Sequence, residues 1–357
     1  MKQGMTFDDV VAQVERDAQH RNDFFAPNNE LRLSTEGSQS HLLTPQGEFT
    51  LRETAHLHLG EVTGIDRRYY QRLRHEAPAL LAENVNHWLS LSGPKPRLVR
   101  ALDTDVRALA SVRYATLDND ALLAAVEPVI CDLGATLDSC YLDEEGLTLK
   151  LVTPKLQGEV KKGDVVQAGL LIRNSETRQG ALAVQPLIFR LVCTNGLILG
   201  GASGRAASRR HVGRDWRSDN EYFGAVPENF ERTAWEQGIW SQLQTNIREV
   251  ISAEAFQGFL ERLSATTKLQ TTLEPEEVVE RLGLLGPEYK LGPELQAQVV
   301  GHIHADGYDG SLWSIVNGVT RAAQDVMTYE VSTGLEELGG RLSALNPREW
   351  ERLVSMN

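Results

Sequence analysis

Residues 136–174 constrain the fold more than any other stretch, because apolar side chains there recur in short alternating runs broken by turn residues. Leu137, Cys140 and Leu142 lead into an acidic turn, and Leu147, Leu149 and Leu151 alternate after it, which predicts a β-hairpin. A charged connection, LQGEVKKGDVV, separates that hairpin from VVQAGLLIRN, whose apolar and β-branched residues suit a third strand. A chain with this centre has to build an antiparallel sheet and supply helices to cover it.

The flanks of the sheet follow from capping and turn signals. LVRALDTDVRALASVRY reads as a strand pair turning at Asp103 to Asp105. Asp118 is placed to cap the apolar helix DNDALLAAVEPVICDLG, which Gly134 ends. In GALAVQPLIFRLVCTNGLIL a strand or turn through Ala181 to Val184 is expected, then a helix with Pro186 in its first turn and Asn195 and Gly196 at its end. The central core is thus a helix, an antiparallel sheet of three or four strands, and a second helix.

Beyond that core, residues 1–95 read as mainly helical with short extended pieces, and SGPKPR at 92–97 is too rich in Pro and Gly to continue a helix. The two helices joined at Gly64 form either a plain helical hairpin or a helix-turn-helix in which Asp66, Arg67 and Arg68 open a recognition helix. Residues 201–220, GASGRAASRRHVGRDWRSDN, have almost nothing to bury and read as a basic flexible arm. From 221 to 357 the segments begin with acidic residues or Ser and break at Gly, as helices do. The fold class expected is α+β, with units at 1–95, 96–200, 201–220 and 221–357.

Charge is distributed unevenly along this order. The chain is acidic overall, at −13, yet residues 146–217 hold 12 of its 36 Lys and Arg and only 4 of its 49 Asp and Glu. Such a concentration is the electrostatic footprint of a phosphate-binding surface. Lys150, Lys155, Lys161, Lys162, Arg173, Arg178, Arg205, Arg209, Arg210, Arg214 and Arg217 are the candidate contacts, and the Trp216 ring offers a platform for an unpaired base.

Other chemistries find less support. The three cysteines form no CxxC pair, so a disulfide framework and a cysteine zinc site are not expected, and Cys193 reads as a buried apolar residue in a reducing compartment. Asp143, Glu159 and Lys161 imitate the carboxylate and lysine pattern of a metal-dependent nuclease, but they sit in turns. His302, His304, Asp306 and Asp309, like His56 and His58, are metal-ligand types at a spacing that places neighbours on different sides of a helix. The glycines between Gly196 and Gly204 lack the Lys-Ser or Lys-Thr of a nucleotide loop. No cofactor and no catalytic residue is called for. No apolar run approaches the roughly 20 residues that span a bilayer, and the first residues lack the order of a signal peptide, so a cytoplasmic chain without membrane partners is expected.

Several segments, in order, carry a resemblance. YYQRLRHEAPALLAENVNHWL, VRALASVRYATLDNDALL, AGLLIRNSETRQGALAVQPLIFRLVCTNGLI, RRHVGR and SLWSIVNGVTRAAQD resemble the phage and plasmid-like domain-of-unknown-function family numbered 932. The resemblance implies a mobile-element context and no particular reaction. In topology, a helix, three antiparallel strands and a following helix are similar to the strand-annealing protein Rad fifty-two and its phage counterparts. That likeness implies a ring-building protomer with single-stranded DNA in a basic outer groove. The expected function is therefore nucleic-acid binding, as single-stranded DNA binding or annealing in recombination or repair. The partners are single-stranded or duplex DNA and further copies of the chain in a homo-oligomeric ring. A self-assembling interaction protein without nucleic acid and a metal-dependent nuclease are the alternatives.

Overall fold

The computed structural model describes residues 4–37, 39–200, 207–209 and 232–355. Helix α1 (Phe7–Gln19) is capped by Thr6, whose hydroxyl accepts from the Asp9 backbone N–H. Strands β1 (Phe24–Pro27), β2 (Arg32–Glu36), β3 (Gln39–Thr44) and β4 (Gly47–Leu51) follow. Then come helices α2 (Glu53–Thr63), α3 (Arg67–Glu76) and α4 (Pro78–Leu91), and strands β5 (Pro96–Leu102) and β6 (Asp105–Ser111). These strands make one sheet in the order β1-β5-β6-β4-β3-β2, antiparallel except where β4 meets β6. Residues 92–95 join α4 to β5, which takes in Pro96 and Arg97, and strands on both sides of this stretch belong to the same sheet. Its core is apolar: Leu42, Phe49, Val99 and Leu109 of the sheet meet Leu59, Tyr70, Leu81 and Val85 of the three helices.

Helix α5 (Asn119–Leu133) starts at Asp118 and ends at Gly134, as its capping residues predict. Strands β7 (Thr136–Leu142), β8 (Leu147–Glu159), β9 (Val165–Asn174), β10 (Leu182–Arg190), β11 (Asn195–Ile198) and β12 (Ala207–Arg209) build the second sheet. Its order is β11-β10-β9-β8-β7, an antiparallel meander, and β12 joins β10 by pairing Leu182 to Val184 with Arg209 to Ala207. Helices α6 (Arg232–Val250), α7 (Ala253–Thr266), α8 (Pro275–Arg281), α9 (Pro293–Ala305), α10 (Leu312–Ala322), α11 (Tyr329–Ser343) and α12 (Pro347–Ser355) complete the described chain. The class is α+β, with a helical C-terminal region.

The second sheet is covered on both sides. Leu147, Leu149, Leu151, Leu170 and Ile172 pack against α1, α5 and α6 through Val10, Val126, Leu243 and Ile247. The opposite side meets α10 and α11, with Ile188 and Leu197 beside Trp313, Val316 and Leu338. Two expectations fail because of this. The helix predicted after Pro186 is absent: β10 pairs with β9 on one side and β11 on the other, turning at Thr194 with φ of 52°. A strand buried on both faces reads as a continuous apolar run, which periodicity alone cannot tell from a buried helix. With that helix goes the annealing-protein order of elements. Cys193 is half-buried on the β10–β11 turn, its Sγ 3.2 Å from an Arg190 guanidinium nitrogen, rather than in the core.

Two histidines of α2 give this fold a pH dependence. Burial, with Arg74 nearby, lowers the His56 pKa to about 4, and burial, with Arg178 nearby, lowers that of His58 to about 3. Both lie below the ordinary value of 6.5, so between these limits only the unfolded chain binds the protons. Stability is then complete above pH 6.5 and falls as pH drops toward 4, by about 1.4 kcal/mol per pH unit for each histidine. Urea midpoints from pH 7 to pH 5 measure this, and a flat profile contradicts it. His58→Gln should remove about half of the slope.

Candidate nucleic-acid interface

Of the six candidate contacts whose side chains are described, four are taken by carboxylates distant in sequence. Lys150 on β8 points at α11, where its Nζ lies 2.6 Å from Glu336 Oε2, and both side chains are fully buried. Burial pushes the Lys150 pKa down and the Glu336 pKa up, while each charge resists the change in the other. The ammonium also sits 4.5 Å from the centre of the Tyr329 ring. Arg173 pairs with Glu337, one residue further along α11. Arg178, at φ 66°, donates to the Leu109 carbonyl at 2.8 Å and reaches Glu61 at 3.2 Å.

At the far end of β9 the same occurs. Lys161 lies 2.8 Å from Asp309. Burial raises the Asp309 pKa, but hydrogen bonds from Lys161 and Ser311 outweigh it and hold the carboxyl near 2. Lys155 is exposed on β8, 3.4 Å from the Asp132 carbonyl, and Lys162 is exposed on the turn before β9. Arg173 lies near the end of β9 and Arg178 just beyond it, while Lys161 and Lys162 precede the strand, which separates the pairs by about 30 Å of strand. These side chains therefore do not converge on one furrow, contrary to the expectation for this group. Arg209 ends β12, and Arg205, Arg210, Arg214, Trp216 and Arg217 lie outside the described residues.

The structure instead assembles a buried ionic cluster that spacing in the sequence does not announce. Arg100 on β5, fully buried, donates to Asp23 at 2.8 Å, to Asp118, and to the Glu176 carbonyl at 3.0 Å. Arg107 on β6 pairs with the Glu176 carboxylate, whose other oxygen accepts from the Asn119 backbone N–H at 2.6 Å. Arg21 holds Asp118 at 3.1 Å and Asp120 at 2.7 Å. Tyr114 donates to the Ser175 carbonyl at 3.1 Å, and burial raises its pKa to about 12. The segment from the last residue of β9, Asn174, to Gln179 is thus the clasp between the two sheets. The only available signal is two arginines inside an apolar strand pair, since a cation buried there must find an acid.

The metal-dependent constellations are not assembled. Asp143 is spent on the backbone N–H groups of Glu145 and Gly146, and Glu159 lies at the opposite end of β8, on the order of 40 Å away along the strand. His302 faces Asp325 and His304 faces Glu276, while Asp306 is held by Arg190. Among the described residues no cluster of three or more His, Cys, Asp or Glu is placed to hold a metal ion. Among them, too, no helix is long and apolar enough to cross a membrane.

A family model described as a domain of unknown function, DUF932, matches residues 108–333, more than half of the chain. The chain belongs to the DUF932 family. No curated protein and no solved structure matches it. The DUF932 span opens within β6 and closes within α11, so it takes in Glu176, Lys150 and Arg173 but stops short of Glu336. Helices α2 and α3 lie outside the DUF932 span.

Proposed function

We propose that this protein binds DNA, and that the contact surface is the arginine-rich segment 205–217. The observation that carries the reading is a subtraction. Lys150, Lys161, Arg173, Arg178 and Arg190 are all engaged by carboxylates. Much of the remaining positive charge of the central region falls in 205–217, where five arginines stand against one acid, Asp215, beside Trp216. Strand β12 holds the start of that segment along the edge of β10. Guanidinium groups spaced along a chain neutralise phosphates without reading sequence, and an indole stacks on an unpaired base, so single-stranded DNA is the favoured form.

Fluorescence anisotropy with labelled single-stranded oligonucleotides, at low and moderate salt, tests the reading. Binding that weakens as salt is added supports it, because each neutralised phosphate releases counterions. An oligonucleotide that stays free at low salt ends it.

A further inference from the structure

The structure assigns a second DNA-contacting surface: α2, the turn at Gly64 and α3 form a helix-turn-helix whose second helix docks in the major groove of duplex DNA. It rests on the DNA-binding reading above but uses different residues and a different form of DNA. Gly64 closes α2 in the left-handed region, at φ 69°. The Ile65 N–H then returns to the Gly60 carbonyl at 3.0 Å, which turns the chain sharply. Three residues separate the helices, the length such a motif requires.

Close packing of the pair is built in by side-chain size. A methyl group at Gly60 would stand 3.3 Å from Tyr70 Cδ2, tighter than an ordinary contact, so the Tyr70 ring packs where a side chain at position 60 would crowd it. Tyr70 and Leu73 turn their side chains inward onto Leu59, and the Tyr70 hydroxyl meets His56 Nδ1 at 2.9 Å. Asp66 caps α3 by accepting from the Arg68 and Tyr69 N–H groups.

What α3 leaves outside is cationic. Its ten residues, RRYYQRLRHE, contain four arginines and one glutamate, within a region, 1–145, that is otherwise strongly acidic. Arg67, Arg68, Arg72 and His75 are exposed, and 68, 72 and 75 recur at the spacing of one helical stripe. Among the described residues Arg72 is ion-paired with the exposed Glu76 of its own helix, a pair that a phosphate can displace. Arg74 is turned aside toward Glu53. A helix presenting Arg at its first turn and along one stripe matches the major groove of B-form DNA, where guanidinium groups pair with guanine edges and phosphates. The deep, narrow groove of duplex RNA does not admit it.

The test compares the full-length protein with two variants, Arg67→Ala/Arg68→Ala/Arg72→Ala and Arg210→Ala/Arg214→Ala/Arg217→Ala. Each is titrated against a mixed-sequence DNA duplex, the matching RNA duplex and a single strand. The first variant should bind the DNA duplex about 100-fold more weakly, and the single strand within about twofold of wild type, with melting unchanged. Wild-type affinity of that variant for the DNA duplex overturns the helix-turn-helix, whatever the second variant does. Wild-type protein that binds single strands but no duplex also overturns it while leaving the segment 205–217 reading intact. If no DNA binds and polyglutamate is retained through Arg67, Arg68 and Arg72, the face serves an acidic protein and both readings fall.

Discussion

Glu176→Ala is expected to lower the unfolding free energy by about 3–5 kcal/mol, because it leaves buried guanidinium charge without its partner. Arg107 suffers most: its Nε and one terminal nitrogen have no hydrogen-bond partner among the described residues, so the Glu176 carboxylate carries the compensation. Arg100 retains Asp23 and Asp118. The Asn119 N–H at the start of α5 loses its acceptor as well. Glu176→Gln keeps an acceptor for Asn119 but not the charge, and should fall between the two. Urea titration at neutral pH measures both, and a loss under about 1 kcal/mol for the alanine variant would mean that the two sheets are held by other contacts.

Lys150→Met is the second large effect, of similar size, for the mirror-image reason. It strands the Glu336 carboxylate, which is fully buried, is approached by Lys150 at Oε2, and has an Oε1 without a hydrogen-bond partner among the described residues. Burial already raises the Glu336 pKa, and loss of the ammonium raises it further, so the variant should regain stability as pH falls and the carboxyl takes up its proton. The double variant Lys150→Met/Glu336→Leu should return to within about 1 kcal/mol of wild type or exceed it, since a buried pair replaced by apolar side chains of similar volume is often no loss. A double variant as unstable as the single one would show that the pair is not the cause.

These two residues also explain what the sequence could and could not disclose. The alternation LTLKLV correctly marks β8 and its apolar face, and the turns at Asp103 to Asp105 and 143–146 were legible for the same local reason. Lys150 falls on the other face, which alternation assigns to water. That face is instead covered by α11, and Glu336 arrives from 186 residues further on, a pairing no local pattern encodes. Asp118 shows the same override: it marks the start of α5, but its carboxylate serves Arg100 and Arg21 rather than the helix N–H groups. The part of β10 from Pro186 onward was read as a helix because an apolar run opened by Pro and closed by Asn-Gly carries the punctuation of one. Of the candidate DNA contacts, clustering in sequence was visible and neutralisation in space was not. The two helices α2 and α3 and the turn between them lay within reach of the Gly64 and Asp66 signals, while the close approach of Tyr70 to Gly60 did not.

The most direct measurement of the central claim is the salt dependence of single-strand binding by the intact protein and by the Arg210→Ala/Arg214→Ala/Arg217→Ala variant. Five arginines on phosphates predict a slope of log affinity against log salt of about −3.5, and removal of three should reduce its magnitude by about 2. A slope that is the same in both proteins would place the charge contacts elsewhere and contradict the account.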